Sequence, residues 1–541
     1  MENRTTVGAP VADAARDALR PGTLWLLSFC LACLFAAFQI QSSLHSGVLS
    51  VPVTYDDVAY FTDALARLEI LYREGFAATL KNLFTVPPHA PLQTLLAMLG
   101  FGLLGRHPWA ADAMNVLPLT LMIRLFLGTA VRSLSLDVSV VLAAAFLGVP
   151  LFGMLIVEFR PDMLCALFTA IGTFMIVADP RWREGDRATG LTTSALFAGA
   201  LLAKPTLAPV TVFVFGTAAI AVVALFARSV VDAKRISKRV VLFGGLGMLL
   251  ALPYYIVGFR SIYEYVAEAV LGTNASVFAL NISRRAHALY YLTGPGGATA
   301  IGRPWLLLST ALLVASSPIW ARSRRRALAV FAVAFAAYIA VTVPGMKTVF
   351  IGLVVPAFLI VIVATSTVAL LSRMRRPAAL VAATLLLVVS ALTWRPVAMQ
   401  MSGAVIAVQA EALNRVATEI ADAVAKVPDL GHQHLYFPLT SQFVNREGLE
   451  YELRLRGLAV PEAPVLYFET DMAKQAAALE KSQIAILFSD DNTMPLDWTL
   501  STRIRKDITA LVERGGAFES IAVIDAGPYR GTVKVLRRTR P

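Results

Sequence analysis

The sequence predicts a multi-pass α-helical membrane protein carrying a small C-terminal α/β domain, and three observations support that expectation. Of its 541 residues, 57% are hydrophobic and 16% charged, against about 45–50% and about 25% in soluble domains. Apolar runs near the ~20 residues that cross a hydrocarbon core recur from Thr23 to Trp394, separated by short arginine-rich connections. From about Arg395 the composition turns soluble, and short β-like runs alternate with helical patterns.

Residues 1–22 read as a cytoplasmic tail with Arg4, Arg16 and Arg20. The run 23–40 is long for a signal segment and many spans follow it, so it is expected to stay as an anchor. A large exterior loop, about 41–112, then mixes apolar and charged residues at 59–73 and 76–83, as in helices lying on a membrane surface. The apolar stretch 92–104 is short for a span and reads as a re-entrant or surface helix of the same loop.

The positive-inside rule orients the rest. Spans are expected at 113–131, 138–157, 163–178, 191–203, 206–227 and 240–257, with the clusters around Arg132, Arg181 and Arg235 inside. A second exterior loop, 258–303, has amphipathic character near 262–271 and a Gly294-Pro295-Gly296-Gly297 stretch. Spans 305–320, 327–343, 348–371 and 378–394 complete a 23–394 membrane domain of about eleven crossings. Residues 395–541 form the outer domain. Strands are expected at 434–438, 465–468, 484–488 and 518–525, helices at 439–456, 471–481 and 499–514, and a closing hairpin through 531–536.

The net charge of +12 falls in bands that flank spans, which suits topology anchors and argues against nucleic-acid binding. Cys30, Cys33 and Cys165 all lie in apolar segments, so no disulfide framework is expected. No set of His, Cys and carboxylates has metal-ligand spacing; no cofactor is required by the sequence, and a divalent metal stays possible.

The strongest local signal for chemistry is Thr54-Tyr55-Asp56-Asp57-Val58-Ala59-Tyr60, two adjacent carboxylates soon after the first span. A solvated loop acid is the plain alternative. Asp57 and Tyr60 share a helix face, however, and Asp56 stands at its start. Three more segments fall on the same side by parity: His89-Ala90-Pro91-Leu92, Glu158-Phe159-Arg160-Pro161-Asp162, and Leu201-Leu202-Ala203-Lys204-Pro205-Thr206.

At these residues the chain resembles the C-type glycosyltransferase superfamily (GT-C), especially bacterial relatives of protein O-mannosyltransferases and lipid A aminoarabinose transferases, over roughly residues 20–395. The resemblance implies an inverting transferase of the bacterial inner (plasma) membrane that moves a sugar from a polyprenyl-phosphate donor to an envelope lipid, glycan or protein. It carries Asp56 over as base or acceptor-orienting carboxylate, with Asp57 and Asp162 in support. His89 sits in a stretch resembling the family's His-Pro-Pro-Leu, with Ala90 in place of a proline. Such a reaction needs a carboxylate on the acceptor hydroxyl and cations on the departing phosphate. Lys204, Lys347, Arg284, Arg285 and Arg303 are the candidate donor-phosphate partners. A polytopic transporter or flippase for a lipid-linked substrate is the alternative; it is disfavoured because no paired halves are visible and the candidate charges gather at one interface rather than the midplane.

Overall fold

The structure, a computed structural model, describes residues 21–271, 279–397, 407–514 and 516–539; the side chains of Tyr55 and Asp56 lie outside the description, as do residues 1–20 of the expected tail 1–22. Among the described residues nine helices are long and apolar enough to cross a membrane, and the pair Leu136–Leu147 and Pro150–Val157, bent by 70°, makes a tenth candidate. The eleventh expected span forms the helix Arg187–Ala203. At 17 residues it is shorter than the other crossings, and Thr189, Thr193 and Ser194 are buried in it as it packs against Pro161–Ala178.

Proline and glycine set the local boundaries. Pro91, Pro108, Pro150 and Pro161 each stand in the first turn of a helix, where the missing N–H costs nothing and the fixed φ suits the start. Gly75 (φ 88°) ends Tyr55–Glu74 and opens Phe76–Thr85. Gly105 (φ 89°) likewise ends Pro91–Leu104, whose 14 residues fit the expected short re-entrant or surface helix. Pro91–Leu104 then folds back on Pro108–Ala113, and a Cβ on Gly100 would sit 2.2 Å from the Ala110 carbonyl oxygen.

Two expectations for the exterior loops change. The helix Tyr55–Glu74 is not a free surface helix: Val58, Tyr60, Phe61, Ala64, Leu65 and Leu68 are all buried. It is sandwiched between the membrane bundle and the outer domain, so faces that looked amphipathic both have partners. The amphipathic stretch of the second loop also begins as a direct continuation of the span, because Gly245–Leu271 runs as one helix past residue 257.

The arginine-rich connections gather at one end. Arg376 pairs with Asp137 at 3.0 Å, Arg239 donates to the Glu184 carbonyl at 3.0 Å, and the Arg183 guanidinium lies 4.0 Å over the Phe226 ring. Asp162 opens the helix Pro161–Ala178 and Asp179 follows its other end, which separates the two by about 25 Å at 1.5 Å per residue. The carboxylate segments therefore lie across the bundle from the arginine bands.

The outer domain has a four-stranded sheet in the order β1-β2-β4-β3, with β1 Leu435–Tyr436, β2 Ile484–Phe488, β3 Phe518–Asp525 and β4 Thr532–Arg538. β1 and β2 are parallel; β4 pairs antiparallel with both β2 and β3. The expected strand at 465–468 is instead a loop and turn, with Glu469 N–H donating to the Leu466 carbonyl; Pro464 before it supplies no N–H to a ladder. The expected helix 439–456 shortens to Arg446–Leu455, because the Asn445 side chain accepts from Gly448 N–H at 2.7 Å and fixes the start there.

Candidate active site

Asp57 lies in the first turn of Tyr55–Glu74, where a carboxylate complements the helix N-terminus. Its Oδ2 accepts the Phe159 N–H at 3.1 Å, and Arg160 Nε stands 3.8 Å from its Oδ1. Two residues on, Asp162 sits in the first turn of Pro161–Ala178 and Lys204 Nζ comes within 3.4 Å of its Oδ2. Lys204 occupies the C-terminal end of Arg187–Ala203, a position that favours a cation. Tyr255 fixes this turn by donating to the Leu201 carbonyl at 2.9 Å. Three of the four paired groups are shielded: Asp57 is 7%, Asp162 2% and Lys204 8% exposed. Three sequence segments far apart in the chain thus converge as two linked ion pairs, and the sequence-expected Asp57, Asp162 and Lys204 come together.

Glu158 joins them at 5% exposure. Burial pushes its carboxyl up to about 8; Arg160 opposes the shift, while Asp57 and Asp162 add to it. Near neutral pH it therefore holds a proton and can donate one. Asp112, 1% exposed, faces both Asp57 and Glu158. From the outer domain, Tyr451 reaches the same region: its ring is 5.7 Å from Phe61, which in turn lies 5.1 Å from Phe159. Burial raises the Tyr451 phenol well above its ordinary value, and Glu452 and Asp112 push the same way.

His89 is exposed and stacks on Tyr60 at 6.4 Å and 15°. Its loop is held by Tyr254, whose hydroxyl donates to the Pro88 carbonyl at 2.7 Å, and by Arg67, which donates to the Val86 carbonyl at 2.5 Å. Lys347 is 3% exposed, and its ammonium donates to the carbonyls of Val341 (3.2 Å), Thr342 (2.9 Å) and Pro344. It caps the helix Arg324–Thr342, and burial lowers its affinity for a proton. A bridge between Ala279 and Met346 lays the second loop beside it. Arg284 and Arg285 are exposed on the short helix Arg284–Leu289, and Arg303 is exposed at the start of Arg303–Arg322. Phe350, under the Arg160 guanidinium at 3.9 Å, connects the Lys347 segment to the carboxylates. The side chain of Asp56 lies outside the described residues. Among those described, no group of three or more His, Cys, Asp and Glu is arranged to hold a metal ion.

Sequence reasoning weighed Arg160 as an ion-pair partner of Asp162, whereas it pairs with Asp57; it quoted Glu158 without a role and missed Asp112 and Tyr451. Asp112 carried a usable signal, since an ionisable residue at the edge of an apolar run is costly unless it serves a site. Tyr451 carried none, because nothing in an outer-domain helix announces what it docks against.

The bent, arginine-anchored bundle, with paired charges at its opposite end and an α/β domain seated over them, is a fold found among solved structures. Two solved structures share it: ArnT from Cupriavidus metallidurans in the apo state, with TM-score 0.59 and 14% identity over 95% of this chain and 98% of that one, and the same protein bound to undecaprenyl phosphate, with TM-score 0.58 and 14% identity over 93% and 97%. ArnT is a lipid A aminoarabinose transferase. No protein-family model matches the sequence, and no curated protein does.

Proposed function

We propose that this chain is a glycosyltransferase of the bacterial inner membrane that moves a sugar, with inversion, from a polyprenyl-phosphate donor to an envelope lipid, glycan or protein. The observation that carries the reading is the convergence of the Asp57–Arg160 and Asp162–Lys204 pairs at one end of the bundle. The shared fold with a protein seen bound to undecaprenyl phosphate supports a polyprenyl phosphate as the lipid partner.

In the reaction an acceptor oxygen attacks the anomeric carbon, the bond from that carbon to phosphate oxygen breaks, and the polyprenyl phosphate departs as an anion. Asp56 takes or orients the acceptor proton, while Asp57, fixed by the Phe159 N–H and Arg160, positions that first turn. Lys204 meets the departing phosphate, with Asp162 holding its ammonium in place. The exposed Arg284, Arg285 and Arg303 serve donor entry, as does Lys347 once released from its carbonyls, and His89 lines the acceptor side.

The test is transfer from a labelled polyprenyl-phosphate sugar by the purified chain and its Asp56→Asn, Asp57→Asn, Asp162→Asn and Lys204→Met variants. A loss of at least about 10²-fold is expected on removing the acting base. Full activity in both Asp56→Asn and Asp57→Asn would remove the assignment. Labelled lipid crossing reconstituted vesicles with no mass gain in any acceptor would support a transporter instead.

A further inference from the structure

Tyr254 and Tyr255 stand side by side in the helix Gly245–Leu271, half-buried and edge to face, with ring centroids 5.5 Å apart. Each hydroxyl donates to a different segment: Tyr254 to the Pro88 carbonyl at 2.7 Å, Tyr255 to the Leu201 carbonyl at 2.9 Å. Neither carbonyl can be closed by its own chain in the usual way. The Leu201 carbonyl, in the last turn of Arg187–Ala203, would accept from the N–H of residue 205, and Pro205 has none. The Pro88 carbonyl would close a turn with the N–H of residue 91, and Pro91 has none. A shielded carbonyl without a donor is costly. One dipeptide thus supplies both missing donors.

The two segments carry opposite sides of the proposed transfer site. Pro88 precedes His89, which stacks on Tyr60, and Tyr60 lies one turn beyond Asp57 on Tyr55–Glu74. Arg67 holds the same loop from that helix, through the Val86 carbonyl at 2.5 Å. On the other side, Leu201 comes one turn before Lys204, whose ammonium lies 3.4 Å from Asp162. Consecutive α-carbons are about 3.8 Å apart, so a dipeptide inside a helix is a short, stiff link between the two sides.

We infer that Tyr254 and Tyr255 are paired positioning residues that hold the His89 loop and the Lys204 turn in register across the transfer site. The inference rests on the proposed function, in which the acceptor and the departing phosphate are met from these two sides. Each tyrosine acts through a backbone carbonyl rather than on the reacting atoms. The two hydrogen bonds form one link in series, so losing either frees the two sides and losing the second adds little. In-line displacement depends on that register, and the effect therefore falls on turnover rather than on the binding of either substrate.

The test compares the full-length parent with Tyr254→Phe, Tyr255→Phe and the double variant in detergent, since phenylalanine keeps each ring and removes only the donor. Transfer is followed from radiolabelled polyprenyl-phosphate sugars, extracted from the producing cell, to the envelope fraction of that cell. In each single variant kcat should fall about tenfold, with the apparent KM of donor and acceptor within about twofold of the parent. The double variant should also lose about tenfold, not the about 100-fold of independent effects. Amide hydrogen exchange needs no activity; it should speed about fivefold at His89 and Ala90 in Tyr254→Phe, and at Lys204 and Thr206 in Tyr255→Phe. Parental kcat in both single variants, a multiplied loss in the double variant, or a raised KM at unchanged kcat would overturn the inference. A parent that transfers nothing would remove the proposed function instead, and exchange would then decide whether the hydroxyls hold the two segments: unchanged rates at both would overturn that as well.

Discussion

Glu158 is shut away from water between Asp57, Asp162 and Arg160, and its carboxyl is pushed up to about 8 from an ordinary 4.5. The folded chain therefore keeps a proton that the unfolded chain releases between these values. Its stability contribution is complete below about pH 4.5 and declines as pH rises toward 8. Glu158→Gln, which cannot titrate, should gain on the parent across that window by at most about 1.4 kcal/mol per pH unit, read by thermal unfolding in detergent at pH 5 and pH 8. Equal pH slopes for the two proteins would place the buried proton elsewhere. Lys347 poses a different question, because three backbone carbonyls share its ammonium. Lys347→Met should lower stability by about 1–3 kcal/mol through stranded carbonyls. Loss of transfer activity without loss of stability would instead favour a phosphate role. Sequence singled out Lys347 as a cation near the outer interface but had no access to these carbonyls, since a loop's path around a helix end is set by its neighbours.

Among the elements, Tyr55–Glu74 is the one whose role the structure enlarges. One face meets the bundle and the other receives Arg446–Leu455 of the outer domain, with Arg454 to Glu69 at 3.2 Å and Arg106 donating to the Arg454 carbonyl at 3.2 Å. Phe61 sits at the centre of this contact, 1% exposed and against Phe101, Phe159 and Tyr451. Phe61→Ala should cost about 3–5 kcal/mol by opening a cavity there; limited proteolysis should then release the outer domain faster than in the parent. Unchanged cleavage would mean that the domain is held by other contacts. The approach of Pro91–Leu104 to Pro108–Ala113 gives a sharper steric case. A side chain at Gly100 would strike the Ala110 carbonyl at 2.2 Å, so Gly100→Val should impair accumulation of folded protein.

Across the whole molecule, the arginine bands occupy one end and the outer domain the other, as the positive-inside rule requires if that domain is periplasmic. In a variant lacking native cysteines, Val523→Cys (60% exposed in the parent) should react with a membrane-impermeant maleimide when only the periplasm is open. Met374→Cys (44%) should react only after the inner membrane is breached. The reverse pattern would invert the topology and move the transfer site to the cytoplasm.

Apolar run length and arginine spacing, local along the chain, determined the membrane bundle, the end at which its arginines gather and the separate domain that follows it. Proline in first turns and the Asp56–Asp57 pair marked where helices begin and where chemistry could lie. Tertiary structure alone decided that Arg160 joins Asp57 while Lys204 joins Asp162, that Glu158 and Asp112 complete the cluster, and that Tyr451 enters it from a distant part of the chain. It also extended 191–203 back to Arg187 as a helix packed against Pro161–Ala178 and turned 465–468 into a loop. The physical reason is the same in each case: hydrophobicity and helix signals act over a few turns, whereas ion pairing, burial and proton affinity depend on which distant segments pack together.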